Sequence, residues 1–149
     1  MKKRFELTVE SKLENLPRIV EFITETMNHY DIQNSKDIYA VQLSVNEACT
    51  NIIQHAYSNK SEGVIAIHCM LSSTGNKFIV NIMDWGQSFD PTIIPKPDTE
   101  SCLNERKVGG LGIFFMRKLM DEVKYVRSKD MNLLVIVKYM ENEDSSKWE

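Results

Sequence analysis

The chain has 149 residues, 42% of them hydrophobic and 26% charged, and a net charge of −3. That length fits one domain with a full core and leaves no room for a second of similar size, while the acidic balance argues against the basic stripe of a nucleic-acid binder. No stretch approaches the roughly 20 apolar residues of a membrane helix, and Met1-Lys2-Lys3-Arg4 leads into an alternating run rather than a signal-peptide core. Cys49, Cys69 and Cys102 are odd in number and lack metal-ligand spacing. Two of them fall at apolar positions of expected elements, which points to reduced core thiols in a cytoplasmic protein.

Phe5, Leu7 and Val9 alternate with polar residues, so 4–10 reads as a half-buried strand. A helix follows, with Ser11 or Asn15 as N-cap, Pro17 in its first turn, and an apolar stripe of Leu16, Ile19, Val20, Ile23, Met27 and Tyr30. Ser35 is expected to cap a second, long helix near 36–57, with Ile38, Val41, Val45, Ala48, Cys49, Ile52 and Ala56 as its stripe. The β-rich runs 63–71 and 77–84 flank Ser72-Ser73-Thr74-Gly75-Asn76 and read as a hairpin. Residues 85–108 carry three prolines and several charges without periodicity, the mark of a long functional loop. A helix is expected from Gly110 to Asp121, then a second hairpin of 122–129 and 132–140 around Asp130-Met131-Asn132, and a polar tail over 141–149. The order β-α-α-β-β-loop-α-β-β does not alternate regularly. It predicts a two-layer α/β sandwich: a mixed, largely antiparallel sheet with helices on one face.

Three segments carry chemistry. In the first, Glu47, Asn51 and His55 stand at i, i+4 and i+8 of the second helix and share one face, about a third of a turn from the apolar stripe. Read alone, they are polar residues on a solvated flank. Read as a site, Asn51 offers a carboxamide oxygen to Mg²⁺, a hard cation held by few protein ligands beside phosphate and water. Glu47, one turn earlier, can then accept a proton from an attacking hydroxyl as general base. His55 can join the site or simply close the helix end.

The second segment is Asp84-Trp85-Gly86-Gln87-Ser88-Phe89-Asp90, at the end of a strand. A carboxylate there can accept a hydrogen bond from the exocyclic amine of adenine, a donor that guanine lacks at that position. Gly86 permits φ > 0 and close approach of backbone to a ring; the ordinary alternative is a surface turn. The third segment is Val108-Gly109-Gly110-Leu111-Gly112, which opens an amphipathic helix. Glycines before a helix free N–H groups to face phosphate, where the helix dipole adds favourable potential. Arg106 and Lys107 stand just upstream and read either as a solvated charge run or as a pair that meets a terminal phosphate when 91–108 closes as a lid.

In this order, the segments resemble the N, G1 and G2 boxes of the superfamily of gyrase, the Hsp90 chaperones, histidine kinases and mismatch-repair ATPases. The resemblance covers residues from about 35 to 125 and implies its Bergerat-type ATP-binding fold. The run Asn46-Glu47-Ala48-Cys49-Thr50-Asn51 with His55-Ala56-Tyr57, and Gly109-Gly110-Leu111-Gly112 followed by Leu119-Met120-Asp121-Glu122-Val123, look specifically like the anti-sigma-factor serine/threonine kinases. The superfamily pattern D-x-G-x-G has Ser88 in place of its second glycine. Histidine kinases would need a phosphoacceptor helix, and gyrase-like ATPases a transducer domain, for which 149 residues leave no room.

The resemblance implies ATP and Mg²⁺ as ligands, with Glu47 as base, Asn51 on the metal, and Asp84 on adenine. It places Gly86, Ser88, Arg106, Lys107, Val108 and Gly109 to Gly112 around the nucleotide. It also implies an anti-anti-sigma factor whose serine receives the γ-phosphoryl group, a sigma factor sequestered meanwhile, and leaves a homodimer open. Two rivals share the nucleotide boxes: an ATP-gated partner-binding module without phosphotransfer, and a bare ATPase. Retention of Glu47 favours the kinase.

Overall fold

The apolar alternation of the expected strands is realised in a single sheet. The computed structural model describes residues 4–57, 63–87 and 110–140, with backbone alone for 110–113. The elements run β1 (Phe5–Glu10), a 3-10 turn (Leu13–Asn15), α1 (Leu16–His29), α2 (Ser35–Asn51) and a π-helical turn (Ile52–Ala56). There follow β2 (Val64–Leu71), β3 (Lys77–Asp84), α3 (Gly110–Leu119), β4 (Glu122–Ser128) and β5 (Met131–Tyr139). The tail 141–149 lies outside the described residues.

Strand order is β1-β2-β3-β5-β4, and all four pairings are antiparallel. The sheet expected as mixed thus contains no parallel pair among the described residues. The reason is topological: β4 follows β3 through α3, but β5 folds back by a hairpin and inserts between them. Inward positions of β3 (Phe78, Val80, Ile82, Asp84) and of β5 (Asn132, Leu134, Ile136) are buried and alternate with half-buried neighbours, apart from Val137, which is buried as well. An antiparallel sheet with one covered face has this pattern.

Helix α2 packs against both α1 and α3. The predicted stripes meet the sheet, with Ile19, Ile23 and Met27 from α1 and Val41, Val45 and Cys49 from α2 fully buried. Each such aliphatic side chain stabilises the fold by about 1.5–3 kcal/mol, so α2 is a firm platform for whatever its last turn carries. Cys49 and Cys69 are free and buried, as expected of core thiols; burial pushes both thiols up from their ordinary value. Cys102 lies outside the described residues. No helix among the described residues is long and apolar enough to cross a membrane.

Four boundaries differ from the sequence expectation. The cap of α2 is Asn34, not Ser35: Asn34 holds an extended conformation, and its Oδ1 accepts from the N–H groups of Lys36 (2.9 Å) and Asp37 (3.0 Å). Asn15 occupies the cap position of α1, but its amide donates to the Glu10 carbonyl (2.8 Å) and caps nothing. Helix α3 stops at Leu119, because the Asp121 N–H bonds the Val137 carbonyl (2.9 Å) and joins the sheet. The second hairpin turns at Lys129-Asp130, with Lys129 at φ 55, which places Met131 and Asn132 in β5.

Candidate nucleotide site

The end of α2, the end of β3 and the β4–β5 hairpin converge on a small pocket. Ala48, Asn51, Ile52, Asp84, Tyr125, Asn132 and Leu134 line it. It forms because Asp84 sits opposite Asn132, and Asn132 opposite Arg127, so one cross-strand row carries three polar residues on the helix-covered face.

Asp84 is only 4% exposed. Its Oδ1 accepts from the Gly86 N–H (2.9 Å) and from the Asn132 amide (2.8 Å). Burial pushes its carboxyl above the ordinary range, opposed by those two hydrogen bonds and by the Arg127 charge. Oδ2 accepts no hydrogen bond among the described residues, so it is the oxygen left for a donor on a ligand. A strand end, a buried carboxylate and one unsatisfied acceptor fit recognition of an N–H on an aromatic base.

The turn after Asp84 is held on two sides. The Trp85 N–H donates to the Tyr57 hydroxyl (2.8 Å), which itself donates to the Val64 carbonyl (2.8 Å). The Gln87 N–H donates to the Ala56 carbonyl (2.7 Å). Gly86 is needed here for a reason the sequence reading missed. It does not take positive φ; instead, a Cβ at Gly86 would stand 2.4 Å from the Ala56 carbonyl oxygen and 2.7 Å from its carbon. The glycine permits backbone to meet the π turn.

On the helical side the expected continuous helix over 36–57 ends at Asn51. The chain continues as the π turn, closed by the Tyr57 N–H on the Ile52 carbonyl (3.0 Å). Such turns are rare and often sit at functional sites. This one carries His55, half-buried, out of the α-helical register assumed for the Glu47-Asn51-His55 face. Asn51 itself is no solvated flank residue: it is 4% exposed, lines the pocket, and its Nδ2 is buried without a hydrogen-bond partner. Glu47 is half-buried one turn earlier, outside the pocket wall, and forms no ion pair among the described residues.

No cluster of three or more His, Cys, Asp or Glu that could cage a metal occurs among the described residues. Mg²⁺ itself needs few protein oxygens beside phosphates and water. The amide of Asn51 fits the task, with an oxygen for the cation and an orphaned N–H pair for a phosphate oxygen or water. Gly110, Leu111 and Gly112 form the first turn of α3, as expected. Ser88, Arg106, Lys107, Val108, Gly109 and the proposed lid 91–108 lie outside the described residues.

The structure thus brings Asn51 and Asp84 to one pocket, with Glu47 and Gly86 beside it. Sequence reading missed Tyr125, Arg127 and Asn132. The one available signal was Asn132 itself, a polar residue in phase with the apolar positions Leu134 and Ile136.

Comparison with known proteins shows the family. The histidine kinase-like ATPase domain matches residues 9–138. The serine-protein kinase RsbW of Bacillus velezensis is 34% identical over 111 residues, which cover 72% of this chain and 68% of that protein. RsbW of Bacillus thuringiensis is 31% identical over 111 residues, covering 72% of this chain and 67% of that one. RsbW of Halalkalibacterium halodurans is 28% identical over 112 residues, with 72% and 66% covered. The crystal structure of the RsbU and RsbW domains of Rv1364c from Mycobacterium tuberculosis shares the fold, with a TM-score of 0.65 at 14% identity. The match covers 94% of this chain and 33% of that chain. The chain belongs to the histidine kinase-like ATPase domain family and, within it, to the group of the RsbW serine-protein kinases.

Proposed function

We propose that the chain binds ATP with Mg²⁺ between α2 and β3 and transfers the γ-phosphoryl group to a serine of an anti-anti-sigma partner, acting in the cytoplasm. A sigma factor is held while that partner is phosphorylated. One observation carries the reading. A buried carboxylate with one bound and one unsatisfied oxygen shares a pocket with a buried asparagine whose amide nitrogen has no partner.

The chain's residues divide the work. Asp84 accepts the adenine amine through Oδ2 and so excludes a base with oxygen there. Asn51 supplies an oxygen ligand for the cation, which when bound neutralises charge on the phosphates. The first turn of α3 offers backbone N–H groups to phosphate oxygens. Arg106 and Lys107 add positive charge at the terminal phosphate. Glu47 takes the proton from the serine hydroxyl as it attacks. Because phosphoryl transfer passes through a loose transition state, the protein mainly positions and neutralises.

Two measurements test this together. Calorimetry should show magnesium-dependent ADP binding that Asp84→Asn weakens by roughly 10- to 100-fold, the worth of a hydrogen bond to a charged group. Labelled ATP should pass phosphate to serine on a co-purified partner. Binding without any protein acceptor would replace the kinase by an ATP-gated binding module; phosphate released to water alone would make it a bare ATPase.

A further inference from the structure

Asn132 accepts and donates in one fixed sense. Its Oδ1 accepts from the Tyr125 hydroxyl (2.5 Å) and from Arg127 Nη1 (2.8 Å). Its Nδ2 donates to Asp84 Oδ1 (2.8 Å), with the Gln87 (3.1 Å) and Gly86 (3.3 Å) carbonyls also in reach. A guanidinium has no acceptor, so rotating the amide by half a turn would set NH₂ against Arg127 and oxygen against the Asp84 carboxylate. Arg127 also donates to the Gly86 carbonyl (3.0 Å), which fixes its own position over the turn. The residue is 3% exposed and lines the pocket beside Asp84.

An unlocked asparagine would weaken base selection. A carboxamide presents either a donor or an acceptor, depending on which way it is turned, and so can adapt to adenine or to a base carrying oxygen at the same position. We infer that Asn132 is a positioning residue for base recognition: held by Tyr125 and Arg127, it keeps one Asp84 oxygen occupied and the other free, and thereby enforces adenine over oxygen-bearing purines. The inference rests on the nucleotide reading above and adds to it the residues that set its selectivity. The mechanism is fixed polarity, since a buried polar site rejects a mismatched partner by leaving its own groups unpaired.

The test is the ratio of ADP to IDP affinity, measured by calorimetry on the full chain with magnesium. Hypoxanthine keeps the purine shape and replaces only the exocyclic amine by oxygen. Arg127→Ala should lower the ADP-to-IDP ratio by about tenfold, one lost hydrogen bond to a charged group, while Arg127→Lys, still a pure donor, should retain most of it. Tyr125→Phe, which deletes one hydroxyl and leaves the ring packed, should lower the ratio by a few-fold without threatening the fold. Asn132→Asp should reduce ADP affinity most, by setting a second carboxylate against Asp84.

A merely structural role predicts otherwise: ADP and IDP affinities would fall in parallel, and the ratio would stay within twofold of the wild type. That result, or an Arg127→Lys ratio as low as that of Arg127→Ala, overturns the inference. If wild-type chain binds no ADP, or binds ADP and IDP alike, the nucleotide reading itself fails. If wild type discriminates but the Tyr125 and Arg127 variants discriminate equally, only the lock fails.

Discussion

The pocket has two ends of opposite character. At the sheet end, Asn132 contacts five groups, Asp84 Oδ1 takes two donors, and Arg127 spans two acceptors, all without a ligand. At the helical end, the Asn51 amide nitrogen is buried and unpartnered, and the Glu47 carboxylate has no ion pair among the described residues. A satisfied hydrogen bond contributes about 1 kcal/mol, whereas a buried orphan costs about 1–3 kcal/mol. Under the nucleotide reading proposed above, the fold finishes the end assigned to the base and leaves the end assigned to phosphate for nucleotide and cation to complete. In that reading, preorganised groups recognise the base and the other end stays open for chemistry.

The sharpest break in that comparison is kinetic. Glu47→Ala should lower phosphoryl transfer by roughly 10² or more, the usual contribution of a positioned base, while ADP affinity stays within a few-fold. Single-turnover transfer and calorimetry on the same preparation separate the two. Lost nucleotide binding in that variant would move Glu47 from chemistry to structure.

Stability should separate the ends next. Asn132→Ala removes one hydrogen-bond partner each from Asp84, Arg127 and Tyr125, and one from the Gln87 carbonyl, and should cost about 2–4 kcal/mol in urea unfolding. Asn51→Ala removes a group that the ligand-free chain leaves unsatisfied, so it should change stability by less than about 1 kcal/mol or raise it. The same Asn51 variant should lose the magnesium dependence of nucleotide binding. Equal destabilisation by both substitutions would erase the distinction between a finished and an unfinished end.

How far the sequence foretold this arrangement follows the same division. That Asn51 and Asp84 line one pocket was legible because their positions are local, one on a helix with a clear apolar stripe and the other at the end of an alternating strand. Asn132 lies 48 residues from Asp84 and meets it only because β5 inserts between β3 and β4; chain order does not reveal that insertion. Arg127 and Tyr125 looked like ordinary polar and aromatic residues of a strand until the register placed them beside Asn132. The π turn was invisible for a similar reason. Nothing in Ile52-Ile53-Gln54-His55-Ala56 breaks helical periodicity, and the change answers to packing against the turn at Gly86.

Gly86→Ala is a smaller break and tests that packing. The added methyl meets backbone, which cannot rotate away, so the Asp84 turn must shift from the π turn. A cost of about 1–3 kcal/mol is expected, as for other overpacking, with weakened ADP binding because Gly86 also donates to Asp84. Unchanged stability would mean that the π turn yields easily and does not fix the base-reading end.

The smallest expected effect is a dependence on pH, and it takes opposite signs for folding and for recognition. Burial holds the Asp84 carboxyl above its ordinary 3.8, against the pull of Asn132, the Gly86 N–H and Arg127. The folded chain therefore binds this proton more tightly than the unfolded chain does, and between the ordinary and the raised values stability falls as pH rises. The cost of the buried charge is fully present above that window and relieved below it. Recognition runs the other way, because a protonated carboxyl is a weaker acceptor for the adenine amine, so ADP affinity should fall as pH drops through the folded value. Asp84→Asn carries no titrating group and should lose both trends. On acidification from neutral pH, wild type should gain unfolding free energy relative to that variant while its advantage in ADP affinity shrinks. Should wild type lose stability relative to the variant instead, the hydrogen bonds and the Arg127 charge outweigh burial at Asp84, and the sheet end stabilises its carboxylate more than desolvation penalises it.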